Sequence, residues 1–109
     1  MRRGELWLAE AGRKKRPVLL LTRSEVLDVR GLVTVAEITT SARGLAAEVH
    51  VDHAEVGLER PSVINCDGLH TVTQASLSGP VGRVGDDTMR KVCSAINYAL
   101  GCTGNSRTD

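Results

Sequence analysis

A chain of 109 residues holds one domain, which buries roughly two-thirds of its unfolded surface around a single small core. Its 41% hydrophobic and 25% charged content excludes a disordered chain or a coiled coil, and 2% aromatic content, Trp7 and Tyr98 without any Phe, argues against a nucleic-acid reader built on stacked aromatics. The net charge of +1 excludes a polycation, yet residues 1–16 gather Arg2, Arg3, Arg13, Lys14, Lys15 and Arg16 against Glu5 and Glu10.

In chain order, the first element is the alternating strand Glu5-Leu6-Trp7-Leu8-Ala9, ending at Gly12. The run Arg13-Lys14-Lys15-Arg16 follows. It suits a confined anionic ligand such as a few nucleotides, and equally a solvated hairpin tip. Pro17 to Thr22 is a short apolar run, expected of a strand buried on both faces. Arg23 to Val29 has room for a short helical turn. Gly31 to Ile38 is β-rich and opens into the polar loop Thr39-Thr40-Ser41, and Ala47 to Val51 alternates again. Ser62–Asn65, Leu69–Val72 and Pro80–Val84 complete six or seven strands, with Gly57, Gly68 and Gly79 at the turns.

The period changes near the end. Asp86 or Asp87 can cap a helix whose apolar residues Met89, Val92, Cys93, Ile96 and Leu100 form one stripe, with Gly101 as the stop. That stripe is expected to pack on the sheet or on a partner subunit. The pattern predicts a mainly β domain over residues 1–102 with one C-terminal helix, a small barrel of the SH3-like or OB type, and a fraying tail over 103–109.

Other chemistry finds little support. Cys66, Cys93 and Cys102 are odd in number and form no CxxC pair, against a disulfide framework or structural zinc. Cys93 is expected to be a small core residue. His50 and His53, three apart, would point to opposite faces of one strand, a poor chelate, and Asp86-Asp87 reads as helix capping. No metal or other cofactor is expected. The longest apolar runs fall far short of the ~20 residues that span a bilayer. Residues 1–5 lack the apolar stretch of a secretion signal, so a soluble, cytoplasmic protein is expected.

Several segments, in order, resemble the MazF/PemK family of toxin ribonucleases. Arg3-Gly4-Glu5-Leu6-Trp7-Leu8-Ala9 is similar to the family's opening strand. Arg16-Pro17-Val18-Leu19-Leu20-Leu21 is similar to its R-P-V strand, and Val35-Ala36-Glu37-Ile38-Thr39-Thr40 to its V-A-x-I-T-T segment. Glu48-Val49, Gly57-Leu58 and Ser62 through Val72 resemble the central block, and Met89 through Gly101 the closing helix. No single piece is diagnostic; the ordered set over residues 3–101 is specific. The resemblance implies an SH3-like barrel with a C-terminal helix, assembled as a homodimer. It also implies metal-independent cleavage of single-stranded RNA by 2′-hydroxyl attack, leaving 2′,3′-cyclic phosphate and 5′-hydroxyl ends. The implied partner is a MazE-like antitoxin with an acidic, flexible tail.

The family's catalytic arginine and threonine fall on Arg16 and Thr39, and both residue types suit the task. A planar guanidinium grips two phosphate oxygens in a way lysine cannot imitate. A threonine hydroxyl donates to the same oxygens. Arginine is a poor general base, because its guanidinium stays protonated in water, so its expected role is electrostatic. His70 is the nearby side chain whose ordinary pKa suits proton transfer, but its motif position varies and it reads first as an exposed strand residue. The loop before Arg16 is shorter than the family's usual one, so Arg13, Lys14 and Lys15 are expected to replace its polar contacts with phosphate contacts, and Thr40 is expected to bind RNA beside Thr39. Gly68 stands where relatives can carry a base-contacting side chain. Two competing readings keep the fold: a gyrase-poisoning toxin of the CcdB type, and a non-catalytic RNA-binding module. Arg16 and Thr39 separate the first reading from both.

Overall fold

The computed structural model describes residues 1–102; the tail expected to fray at 103–109 lies outside the described residues. Six strands form one antiparallel sheet: β1 (Glu5–Ala11), β2 (Lys14–Leu20), β3 (Leu32–Thr39), β4 (Glu48–Val51), β5 (Ser62–Thr73) and β6 (Leu77–Arg83), in the spatial order β4-β5-β3-β2-β1-β6. One helix, α1 (Asp86–Leu100), follows. The end strands β4 and β6 are not paired with each other, so the sheet is curled and small-barrel-like rather than closed. Its ends nevertheless meet. A Cβ on Gly82 of β6 would stand 1.7 Å from the carbonyl oxygen of Val56, in the segment after β4, so only glycine lets the two backbones approach there.

Alternation explains the two-sided core. Leu19 of β2 and Ala36 of β3 point to one face, where they join Leu6, Ile64, Cys66 and the helix residues Val92 and Ala95. Val18 and Leu20 point to the other, with Val33, Val35, Leu27 and Leu77, flanked by Trp7 and Ala9. The apolar run of β2 is thus buried on both faces, as its composition predicts, with Leu19 and Leu20 fully inaccessible.

Three expectations are corrected. The basic run is not all hairpin tip: the turn is Gly12-Arg13 alone, with Gly12 at φ +67, and Lys14 to Arg16 already belong to β2, paired with Ala11, Glu10 and Ala9. The segments Ser62–Asn65 and Leu69–Val72 are one strand, β5, and Gly68 lies in a bulge rather than a turn. The register shifts from Ala36↔Leu69 to Glu37↔Asn65, and Cys66 N–H turns to Ala47 O (2.9 Å) on the other side. The helix N-cap is Gly85, not an aspartate. Asp86 and Asp87 occupy the first turn, where negative charge complements the helix dipole, and Asp87 pairs with Arg90 one turn on. Gly101 ends the helix in the left-handed conformation, and a short 3-10 turn, Ser24–Val26, stands inside the stretch where a helical turn is expected.

Cys66, not Cys93, is the fully buried thiol. Burial pushes it up to about 11, with Asp67 and Cys93 adding to the effect. Cys93 is half-buried, and its sulfur accepts a hydrogen bond from Arg3 Nη2 at 3.0 Å.

Candidate active site

The strand register brings the predicted pair together. Val18 lies opposite Glu37 and Leu20 opposite Val35; the same register carried two residues further sets Arg16 against Thr39. The ladder stops short of that point for a chemical reason. Leu21 N–H reaches Thr34 O across this ladder, so by alternation the backbone at position 17 faces β3, and Pro17 has no N–H to give. The two strands therefore end in a place where side chains, not backbone bonds, fill the space between them.

Arg16 and Thr39 share a face with Val18, Val35 and Glu37, and both line a groove of about 530 Å³. Its floor is Val18, Val35 and Val72, and its polar rim is Glu10 of β1, Arg16, Glu37, Thr39, and His70 and Thr71 of β5. Among the described residues Arg16 makes no ion pair, so its guanidinium is available to an anion. The Thr39 oxygen accepts the Ser41 N–H at 3.1 Å, which fixes the hydroxyl at the strand end and leaves its own proton to donate. An exposed guanidinium fork beside an oriented hydroxyl is suited to hold the non-bridging oxygens of one phosphate. A larger, shallow depression of about 670 Å³ between β4 and α1 contains neither residue.

The remaining candidates do not join them. Arg13 sits at the hairpin turn and Lys14 is exposed on β2. Lys15 points to the opposite face, where its Nζ donates to Ser78 Oγ at 3.2 Å. Thr40 is exposed just past the end of β3, and none of the four lines the groove. Conversely, the groove holds a residue that pattern reasoning passed over. Glu37 lies on the same face as buried Val35, and its carboxylate is hydrogen-bonded to His70 Nε2. A charged residue in phase with the apolar Val33 and Val35 is a signal the sequence does contain.

The loop after Thr39 is anchored from its far end. The Glu48 carboxylate accepts the backbone N–H groups of Arg43 (3.1 Å), Gly44 (2.9 Å) and Leu45 (3.2 Å). Partial desolvation pushes this carboxyl up, but the three N–H groups and the nearby His50 outweigh it and hold the group below the usual carboxylate range.

Fold and groove together define a small curled-sheet protein with an exposed arginine and a strand-end threonine in one cleft. The chain belongs to the PemK-like, MazF-like toxins of type II toxin–antitoxin systems, whose family pattern matches residues 2–100. It is similar to "Probable endoribonuclease MazF5" of Mycobacterium tuberculosis (strain H37Rv), 38% identical over 93% of this chain and 94% of the relative. It is also similar to "Probable endoribonuclease MazF2" of Mycobacterium tuberculosis (strain CDC 1551), 34% identical over 94% of this chain and all of the relative. Among solved structures, the Mycobacterium tuberculosis toxin MazF-mt6 superposes with a TM-score of 0.83 at 39% identity, covering 89% of this chain and 96% of that one.

Proposed function

We propose that this chain is the endoribonuclease toxin of a type II toxin–antitoxin pair, cutting single-stranded RNA without a metal and so arresting translation and growth. The observation that carries this reading is the convergence of Arg16 and Thr39 on one face of one groove, brought there by the β2–β3 register. Family membership and the endoribonuclease relatives support it.

In the proposed reaction the 2′-hydroxyl attacks the adjacent phosphorus, the P–O5′ bond breaks, and a 2′,3′-cyclic phosphate and a 5′-hydroxyl remain. Arg16 grips the non-bridging oxygens and Thr39 donates to them, stabilising charge as the phosphorane forms. Arg13, Lys14, Lys15 and Thr40 stand outside the groove, where they engage flanking nucleotides. The partner is an antitoxin whose acidic, flexible tail occupies the groove in place of RNA. The active unit is a homodimer working in the cytoplasm, and no helix among the described residues is long and apolar enough to cross a membrane.

The test is incubation of the purified protein with long single-stranded RNA in EDTA. Discrete cleavage with 2′,3′-cyclic phosphate ends is expected, reduced about 10²–10³-fold in Arg16→Ala and in Thr39→Ala, the usual cost of losing one oriented donor. Intact RNA, or cleavage that requires Mg²⁺, overturns the reading. Light scattering that shows a monomer at micromolar concentration overturns the dimer.

A further inference from the structure

An oriented arginine and a hydroxyl stabilise charge, but neither removes the proton from the attacking 2′-hydroxyl. The groove also contains an imidazole, a group with the chemistry to do so. His70 stands opposite Val35 in the β3–β5 register, on the same face as Glu37, Thr39 and Arg16, and its side chain lines the same cleft. Its Nε2 is hydrogen-bonded to the Glu37 carboxylate. The two side chains are 53% and 48% exposed, so the pair is open to a substrate lying in the groove rather than sealed in the core.

An ionised carboxylate only accepts, so this bond places the ring proton on Nε2 and the lone pair on Nδ1. A carboxylate that fixes the tautomer of an imidazole whose other nitrogen is free is the arrangement of a poised base. The local backbone is built to permit it. The bulge in β5 carries Gly68 under Glu37, where a Cβ would stand 2.9 Å from Glu37 Cδ and 3.0 Å from its Oε1. A side chain at position 68 would therefore displace the carboxylate from the place where it meets His70.

We infer that His70 is the general base of the cleavage reaction and that Glu37 is its positioning residue; the inference rests on the endoribonuclease reading above. As the O2′–P bond forms, His70 Nδ1 takes the 2′-hydroxyl proton, and the resulting imidazolium is held by Glu37. The P–O5′ bond breaks, and the departing 5′-oxygen takes its proton from water, which the open groove admits. The proton then leaves His70 to solvent and restores the base. The charged groups around His70 are Glu37 from β3, bonded to it, and Arg16 from β2 on the same face, with Glu10 of β1 at the groove's rim.

The experiment is single-turnover cleavage of a short, defined single-stranded RNA in EDTA across pH 5–9, with binding measured separately on the same RNA carrying a 2′-deoxy sugar at the cut. His70→Ala is expected to lower the cleavage rate about 10²–10⁴-fold with little change in binding. It should also flatten the pH dependence of the cleavage step and regain activity with added imidazole. Glu37→Gln is expected to slow the chemical step about 10-fold or more, up to the loss seen in His70→Ala, because the imidazole remains but its tautomer is no longer fixed. Wild-type rate and pH profile in His70→Ala would overturn the inference, as would a loss confined to binding or one that imidazole does not rescue. Should His70→Ala fail to fold, Glu37→Gln decides: an unchanged rate overturns the inference and a slowed chemical step with intact binding supports it. Absence of cleavage by the wild-type protein would instead overturn the endoribonuclease reading itself, so the two failures are distinguishable.

Discussion

The two faces of this sheet are built from the same strands and serve opposite ends. On one, Leu19, Ala36 and Ile64 are roofed by α1 through Val92 and Ala95, and these positions are apolar and closed. On the other, Val18, Val35 and Val72 make a comparable apolar floor, joined by Leu27 after the 3-10 turn but, among the described residues, not roofed by α1, and the neighbouring positions on that face are Arg16, Glu37, Thr39 and His70. One residue of phase separates Arg16 from Pro17 and Glu37 from Ile38. Both phases contribute core residues, but α1 packs on only one of them. The face left unroofed near the strand ends has room for polar side chains that reach water and a ligand together.

The largest effect that breaks this comparison belongs to the roofed face. Leu19→Ala is expected to cost about 2–5 kcal/mol, because a fully buried side chain leaves a cavity beneath the helix. Thermal unfolding should fall by about 10 °C or more. The fraction still folded should cleave RNA at the wild-type rate. On the open face the pattern inverts: Arg16→Lys keeps the charge and the melting temperature but loses the planar fork, so most of the roughly 10²–10³-fold loss seen with alanine persists. A lysine variant that cleaves as the wild type does would reduce Arg16 to a point charge.

Much of the fold was legible in the sequence because its signals are local. The double burial of β2 follows from the unbroken run Val18–Leu21, and α1 from the stripe Met89, Val92, Cys93, Ile96 and Leu100 stopped by Gly101. The bulge in β5 was not legible, because Gly68 reads equally as a turn and only pairing with β3 shows the strand continuing beyond it. The site divides in the same way. Arg16 and Thr39 were found through motifs, and the register then explains why residues so distant in sequence meet. Glu37 and His70 are 33 apart, and they meet because β5 pairs with β3 so that His70 stands opposite Val35, two residues from Glu37 on the same face, which no local pattern encodes.

The hairpin sharpens the comparison more gently. Arg13, Lys14 and Lys15 are exposed and outside the groove, so they contribute charge without geometry. Neutralising all three is expected to weaken binding to every RNA sequence alike and to flatten its dependence on salt, by about 0.7 in log–log slope for every single-strand phosphate that is no longer neutralised. The rate of bound substrate should be unchanged. Unaltered binding would show that the tip is only a solvated turn.

The smallest expected effect concerns the loop that carries the chain from Thr39 to β4. Three backbone N–H groups converge on ionised Glu48, and its carboxyl is held below its ordinary range in the folded state. A depressed carboxylate stabilises the fold at pH above its unfolded value of about 4.3 and loses that contribution as pH falls through the lower folded value. The loop anchor should therefore persist at neutral pH and release only in acid. Hydrogen exchange reads this directly: the amides of Arg43, Gly44 and Leu45 should be protected at pH 6 and lose protection, relative to the β3 amides, only as pH falls below the ordinary carboxylate range. Glu48→Gln should remove that pH dependence and leave the three amides weakly protected throughout, since a neutral amide oxygen is the poorer acceptor. The β2–β3 end that holds Arg16 against Thr39 depends on strand register rather than on this anchor, so cleavage by Glu48→Gln should stay close to wild type; a loss as large as that of Thr39→Ala would mean that the loop, and not the register, sets the position of the hydroxyl.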